Sequence, residues 1–169
     1  MCGIAGIYSP TRSVDRLTEL ASKMSDAIMH RGPDDSGIWL DKVNNLALSH
    51  RRLSIIDTSN GGHQPMTSRS TRYTIVFNGE IYNFQDLRIE LEGKGHQFHS
   101  HSDAEIIPHL YEEYGTLLFS KLNGMFSICL FDHQKRKVFL ARDQIGIKPL
   151  YFIDTEKYVL FGSELKAIL

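Results

Sequence analysis

Cysteine, tryptophan and proline are scarce in this chain, at 2, 1 and 5 of 169 residues. Cys2 and Cys129 are too few for a disulfide framework, so a reducing cytoplasm is the default compartment. No apolar run is long enough to span a bilayer, and the first residues lack a basic-then-apolar signal pattern. Neither sign of charge dominates: Lys+Arg 19 against Asp+Glu 20 leaves a formal net charge of -1. Nothing in that balance points to nucleic acid or to an anionic membrane surface. Linkers, repeats and low-complexity tracts are missing too. What is present is 41% hydrophobic and 23% charged, ordinary for a soluble globular domain, at a length that predicts one domain with a sizeable core.

The hydrophobic pattern alternates between two periods. Residues 3–8 form a short apolar run with two glycines and predict a buried strand. Leu17, Leu20, Ala21, Met24 and Ile28 recur at helical spacing, predicting an amphipathic helix over residues 14–29 capped near Ser13. Short strands are expected at 37–40, 46–49 and 53–56, and loops at 30–35 and 59–65. Residues 73–77 are β-rich and run into Asn78-Gly79, a pair that readily turns. Asn83 is placed to cap a short helix carrying Leu87 and Leu91. Ser102-Asp103-Ala104-Glu105 has the capping-box pattern and opens a helix that Gly115 stops. Two hairpins follow, 125–131 with 137–141 and 150–153 with 158–161. Ser163 reads as the cap of a helix left unfinished at Leu169, so residues 1–169 are expected to be one domain of a longer chain.

Cys2 stands directly behind the initiator methionine, and its small side chain permits removal of Met1. Removal puts a thiol (ordinary pKa ~8.5) and an α-amine (~7.7–8.0) on one residue. The thiolate is the attacking species, and the free amine is positioned to take its proton. A thiol attacking an amide also needs donors for the developing oxyanion, and Asn78-Gly79 offers a side-chain amide and an unhindered N–H. A hairpin turn is the competing reading of that pair, weakened because no second strand follows in register. A substrate α-carboxylate calls for a fixed guanidinium, and Arg51 and Arg52 are adjacent before the expected strand. Neighbours in an extended segment point to opposite faces, so at most one serves a given pocket. An α-ammonium calls for a carboxylate, for which Asp103 and Glu80 are candidates, although Asp103 also suits a helix start.

Other groups carry less. His96, His99 and His101, with Asp103 nearby, invite a metal reading, but their spacing matches no common zinc framework and the glycines around them predict a surface loop. Cys129 alternates with apolar neighbours and reads as a buried structural thiol. The segment 143–149 lacks the glycine spacing of a phosphate loop and reads as a turn.

Taken in order, Met1-Cys2-Gly3-Ile4, Arg31-Gly32-Pro33-Asp34, His50-Arg51-Arg52-Leu53-Ser54-Ile55-Ile56-Asp57, Gln64-Pro65-Met66, Phe77 to Asn83, Ser102 to Glu105, Gly124-Met125-Phe126 and Ala141-Arg142-Asp143 to Tyr151 resemble the glutaminase domain of class II glutamine amidotransferases. This is an N-terminal-nucleophile family, and the segments are most similar to its asparagine synthetase branch. The resemblance implies an α+β fold, a four-layer α/β/β/α sandwich of two mainly antiparallel sheets. It implies that Cys2 attacks the glutamine side-chain amide, that Asn78 and Gly79 form the oxyanion hole, and that Arg52 holds the α-carboxylate. Asp103 and Glu80 would hold the α-ammonium, with backbone near Ile55 and Ile56 lining the pocket.

It implies as well that L-glutamine is the substrate and that a synthetase domain or subunit accepts the ammonia, with room for a homodimer. No cofactor and no metal is expected in this domain. ATP and Mg belong to a synthetase part, whose glycine- and serine-rich pyrophosphate loop does not occur in these residues. Two alternatives stand beside this reading: a non-catalytic glutamine-binding or interaction module, and a peptidase of the same nucleophile superfamily. The two opposite charges of Arg52 and Asp103 favour a free amino acid over a peptide.

Overall fold

The computed structural model describes residues 1–54 and 60–169. Among the described residues the strands form two antiparallel sheets. The first contains β1 (Gly3–Tyr8), β2 (Asp35–Asp41), β3 (Leu46–Arg52), β8 (Tyr151–Asp154) and β9 (Val159–Gly162), in the spatial order β2-β3-β1-β9-β8. The second contains β4 (Met66–Thr67), β5 (Tyr73–Ile81), β6 (Gly124–Asp132) and β7 (Lys137–Arg142) in sequential order. The helices are α1 (Val14–Ala27), α2 (Phe84–Gly93), α3 (Ile106–Tyr114) and the single turn α4 (Leu118–Lys121). No described helix is long and apolar enough to cross a membrane.

Strand alternation sorts the side chains into layers. Ala5, Ile7 and Ala47 face α1, where they bury Leu17, Ala21, Met24 and Ile28. Ile4, Leu46, Leu48 and Phe161 face the other way and meet Val76, Cys129 and Phe131 of the second sheet. The far face of that sheet carries Tyr73, Ile75, Phe77, Ile81, Phe126, Ile128 and Leu130, which pack on Leu87, Leu91, Ile106, Ile107 and Leu110 of α2 and α3. Helix, sheet, sheet and helix therefore stack as the expected four-layer α+β sandwich. Gly6 permits the close approach of the first sheet's neighbours, since a Cβ there would lie 2.3 Å from the Phe161 ring.

Most expected elements form. Ser13 caps α1, its hydroxyl accepting from the Arg16 N–H at 3.4 Å. Both hairpins form as β6–β7 and β8–β9. Gly115 ends α3 with φ 56°, a left-handed angle that glycine takes at no steric cost.

Three expectations need correction, and one falls outside the described residues. Asn78-Gly79 is neither a turn nor a strand end: β5 runs through it and pairs with β6 from Tyr73↔Asp132 to Ile81↔Gly124. The third short strand does not start at Leu53; β3 instead continues to Arg52, and Leu53 and Ser54 lie beyond it. Ile55 and Ile56, expected to line the pocket, lie outside the described residues. Ser163 does not cap a helix, because its hydroxyl accepts the Ile4 N–H at 3.0 Å, and only a 3-10 turn, Leu165–Ala167, follows.

Asn83 and Ser102 show a subtler difference. Asn83 precedes α2 without a side-chain cap bond; its amide donates to the Lys121 carbonyl at 2.9 Å and accepts the Asn123 N–H at 3.0 Å. Ser102 does cap, accepting from Ala104 N–H at 3.2 Å, and opens a 3-10 turn, Asp103–Glu105, ahead of α3. The Glu105 carboxylate reaches past Ser102 to the N–H groups of His99 and Ser100, each at 2.8 Å. The reciprocal half of the capping box is therefore replaced: the Ser102 N–H donates to the Ser100 hydroxyl at 3.2 Å instead of to Glu105.

Candidate functional site

Cys2 precedes β1 by one residue, at the end of the first sheet where Gly3 pairs with Arg51. Its position is fixed by the chain around it. The Arg31 guanidinium donates to the Cys2 carbonyl at 2.9 Å and pairs with Glu164 at 3.0 Å. Gly32 follows, and a Cβ there would meet the Arg51 carbonyl carbon at 2.4 Å, so the loop needs glycine to lie against β3. Asp34 then ties down the end of β3: its N–H donates to the Arg52 carbonyl at 3.0 Å, and its carboxylate accepts the Ser54 N–H at 2.8 Å. The Arg-Gly-Pro-Asp run is therefore a brace for Cys2 and for the backbone facing it. That backbone is Leu53, whose N–H lies 3.4 Å and whose carbonyl 3.6 Å from the Cys2 Sγ.

The cleft beside the thiol is lined by Cys2, Arg52, Leu53, Gly62, Gln64, Phe77, Asn78, Gly79, Glu80, Ser102, Asp103, Met125 and Lys148, together with Met1. Six of the eight expected site residues meet there: Cys2, Arg52, Asn78, Gly79, Glu80 and Asp103. The alternation of β3 resolves the arginine pair. Arg51 faces α1, where it contacts the Ser25 hydroxyl at 2.9 Å and Asp26 at 2.5 Å. Arg52 faces the other way and is buried in the cleft wall, with Gly62 against its guanidinium. A Cβ on Gly62 would lie 2.0 Å from Arg52 Nη2.

The edge of β5 supplies the donors. Successive residues of a strand point their N–H groups to opposite edges. β4 covers this edge only at Ile75 and Thr74. Past it, the Phe77 N–H donates to the Gln64 side chain at 2.6 Å, and the Ile81 N–H donates to the Asp103 carboxylate at 2.9 Å. Gly79 lies midway between them, so its N–H shares their direction and faces the cleft. Glycine is required there: a Cβ would meet the Met125 carbonyl oxygen at 2.3 Å. Asn78 is buried on the adjacent position, its amide lying 3.5 Å from the Ser127 hydroxyl. Two residues before Arg52 in β3, and so on the same face, His50 is buried and held neutral; burial lowers its pKa to about 4. Its Nε2–H donates to the Phe77 carbonyl at 3.1 Å, another tie on the strand that carries the donors.

The carboxylates differ. Asp103 is buried, and burial, reinforced by Glu80, raises its pKa to about 6 against the pull of the Ile81 N–H. Glu80 is exposed at the cleft rim. The cleft thus brings together a guanidinium, two carboxyl groups, a thiol and backbone and side-chain donors. That layout fits a small zwitterion. Cys129 lies in the layer between the sheets, where burial drives its thiol pKa far up, so it is an inert partner in packing.

Lys148, Gln64, Gly62, Ser102 and Met125 also line the cleft and are not among the site residues expected from the sequence. Lys148 arrives through the turn at 143–148, wrapped around Asp143, whose carboxylate accepts N–H bonds from Phe126, Ile147 and Lys148 at 3.2, 2.8 and 2.9 Å. Its Nζ lies 3.3 Å from Met1 Sδ. The motif at 141–151 carried the signal, but a lysine in a turn reads as an exposed charge until the fold buries it.

The family described as "Glutamine amidotransferase domain" matches residues 1–169. Asparagine synthetase [glutamine-hydrolyzing] 3 of Bacillus subtilis (strain 168) is 40% identical over 171 residues, covering 100% of this chain and 27% of its own length. Asparagine synthetase B [glutamine-hydrolyzing] of Escherichia coli (strain K12) is 39% identical over 170 residues, covering 100% of this chain and 30% of its own. The chain thus spans less than a third of the length of these relatives. A solved structure, glutamine phosphoribosylpyrophosphate amidotransferase from B. subtilis, superposes with a TM-score of 0.82 over 99% of this chain and 43% of its own, at 21% identity. That likeness speaks to the fold. With the family matched from end to end and relatives near 40% identity, the chain belongs to the glutamine amidotransferase domain family.

Proposed function

We propose that the chain hydrolyses the side-chain amide of L-glutamine to glutamate and ammonia. The observation that carries this reading is the position of the Cys2 thiol against Leu53, in one cleft with Arg52, Asp103 and the open Gly79 N–H. Met1 must first be removed, because its peptide bond occupies the Cys2 nitrogen. The freed amine then accepts the thiol proton. The thiolate adds to the amide carbon, and its oxygen, now negative, is held by the Asn78 side-chain amide and the Gly79 N–H. The amine returns its proton to the leaving nitrogen, the C–N bond breaks, and ammonia departs from a Cys2 thioester. Water, deprotonated by the same amine, cleaves the thioester and frees glutamate and the thiol. Arg52 pairs with the α-carboxylate, while Asp103, with Glu80 at the rim, pairs with the α-ammonium.

Residues 1–169 constitute the amidotransferase domain in this reading, and a synthetase domain or subunit consumes the ammonia. Amidation of aspartate is the acceptor reaction suggested by the names of the relatives; ATP and Mg serve that part and not this cleft. A cytoplasmic setting suits the reduced thiol. The test is ammonia release from glutamine by chain shown by intact mass to lack Met1. Cys2→Ala is expected to abolish release while leaving the circular dichroism spectrum unchanged, and undiminished release from that variant ends the proposal.

The second reading, a glutamine-binding module without catalysis, requires that Met1 stay on the Cys2 nitrogen. Retention of Met1 on the protein isolated from cells, with glutamine bound and no ammonia released, would select it.

A further inference from the structure

On the outer helical layer, away from the cleft, three potential metal ligands converge. Gly95, at φ +95°, turns the chain back over the end of α2, and the His96 N–H bonds the Leu91 carbonyl at 3.1 Å. This helix-ending turn leaves the His96 ring beside α3. His109 and Glu112 lie three apart on α3 and so share a face. The His96 and His109 Nδ1 atoms are 3.0 Å apart, and one ligand atom from each of His96, His109 and Glu112 fits within 4.8 Å. Glu113, one residue on, stands 3.0 Å from His96 Nε2 and also binds Lys94 at 3.0 Å.

The chemistry of this group is specific. Glu113 accepts the Nε2–H of His96, which fixes that tautomer and leaves the Nδ1 lone pair aimed at His109. A carboxylate holding the back of an imidazole is the usual outer support of a metal-ligating histidine. Two nitrogens at ~2.0–2.1 Å from a tetrahedral ion lie ~3.3 Å apart, so the pair needs to open by only a few tenths of an ångström. The Phe98 ring packs 4.6 Å from His109 and limits its rotation.

We infer that His96, His109 and Glu112 form a binding site for one divalent transition-metal ion of the zinc type, with water completing the coordination. The His109 proton moves from Nδ1 to Nε2 through solvent as the ion binds, which frees its Nδ1 lone pair for the ion. Two nitrogens and a carboxylate select zinc, cobalt and nickel over magnesium and calcium. The ion would pin residues 96–101, the segment leading directly into Ser102 and Asp103, onto α3.

The test uses full-length chain without a histidine tag, stripped with EDTA, in the Cys2→Ala background so that the active thiol cannot bind the metal. Zinc titration should show one site and raise the melting temperature by roughly 5–10 °C at a hundredfold excess over Kd. The cobalt form should show the visible absorption of a four-coordinate ion. His109→Ala should abolish both signals. Glu112→Gln, at an exposed position, should weaken binding at least tenfold. Absence of zinc uptake, or uptake unchanged in both variants, overturns the inference; this result is independent of whether the cleft hydrolyses glutamine.

Discussion

The Asp103 carboxylate accepts the backbone N–H of Ile81 at 2.9 Å, so the group proposed to hold the substrate ammonium also fixes the strand that carries the proposed oxyanion donors. This coupling makes the titration of Asp103 readable in two ways. Its pKa is raised to about 6, above the ordinary carboxylate value. A raised carboxyl stabilises the fold while protonated, and that contribution is lost as pH rises from the unfolded value through about 6. Glutamine binding runs in the opposite direction, since the ammonium needs the ionised form. The KM for glutamine is expected to climb about tenfold per pH unit below about pH 6. Asp103→Asn should flatten that climb, weaken glutamine at pH 8, and raise the melting temperature of the glutamine-free chain there. Steady-state kinetics and melting curves across pH 5–8 check both directions.

Asn78 and Gly79 should fail differently. Asn78→Ala removes a side-chain donor without touching the backbone, so kcat for ammonia release is expected to fall about 10²–10³-fold with little change in KM. Gly79→Ala forces a Cβ to within 2.3 Å of the Met125 carbonyl oxygen. It should cost about 1–3 kcal/mol of stability as well as activity. Urea melts beside kinetics separate the two.

The two arginines offer an internal control. Arg52→Lys loses the forked geometry and should raise KM for glutamine at least tenfold, with stability little changed. Arg51→Lys, on the opposite face, should leave KM unchanged and cost up to about 1 kcal/mol through its contacts with α1. Gly62→Ala, by pressing on the Arg52 guanidinium, should reproduce the KM defect without removing any charge.

Asp34 tests the brace beneath the thiol. Asp34→Ala frees the Ser54 N–H and loosens Leu53, the residue facing Cys2 Sγ. It is expected to lower kcat while glutamine still binds, and to cost about 1–3 kcal/mol of stability. The rate of Cys2 alkylation by iodoacetamide should change in parallel.

Periodicity exposed much of this architecture because its cues are local. The α1 stripe, the Ser13 cap and the two hairpins each depend on residues within a few positions of one another. The opposed faces of Arg51 and Arg52 also follow from strand geometry alone. Asn78-Gly79 misled because the pair favours turns in isolation, whereas pairing with β6 across nine residues holds it extended. Ser163 misled for the same kind of reason: its long-range partner, the Ile4 N–H, lies 159 residues away. Lys148 and Gln64 were hidden because their burial depends on the packing of both sheets. His96 was weighed with His99 and His101, its sequence neighbours, while its actual partner sits on the next helix.

β4 is only two residues long, and that brevity has a consequence for what the molecule admits. A bare sheet edge ordinarily invites another polypeptide to zip on, rung after rung. Here the rungs above and below Gly79 are already taken, by Asp103 and Gln64. A foreign strand finds no ladder to extend, but a lone carbonyl oxygen finds a vacant rung. The short β4 that leaves room for the proposed reaction centre thus denies this edge to an extended peptide chain.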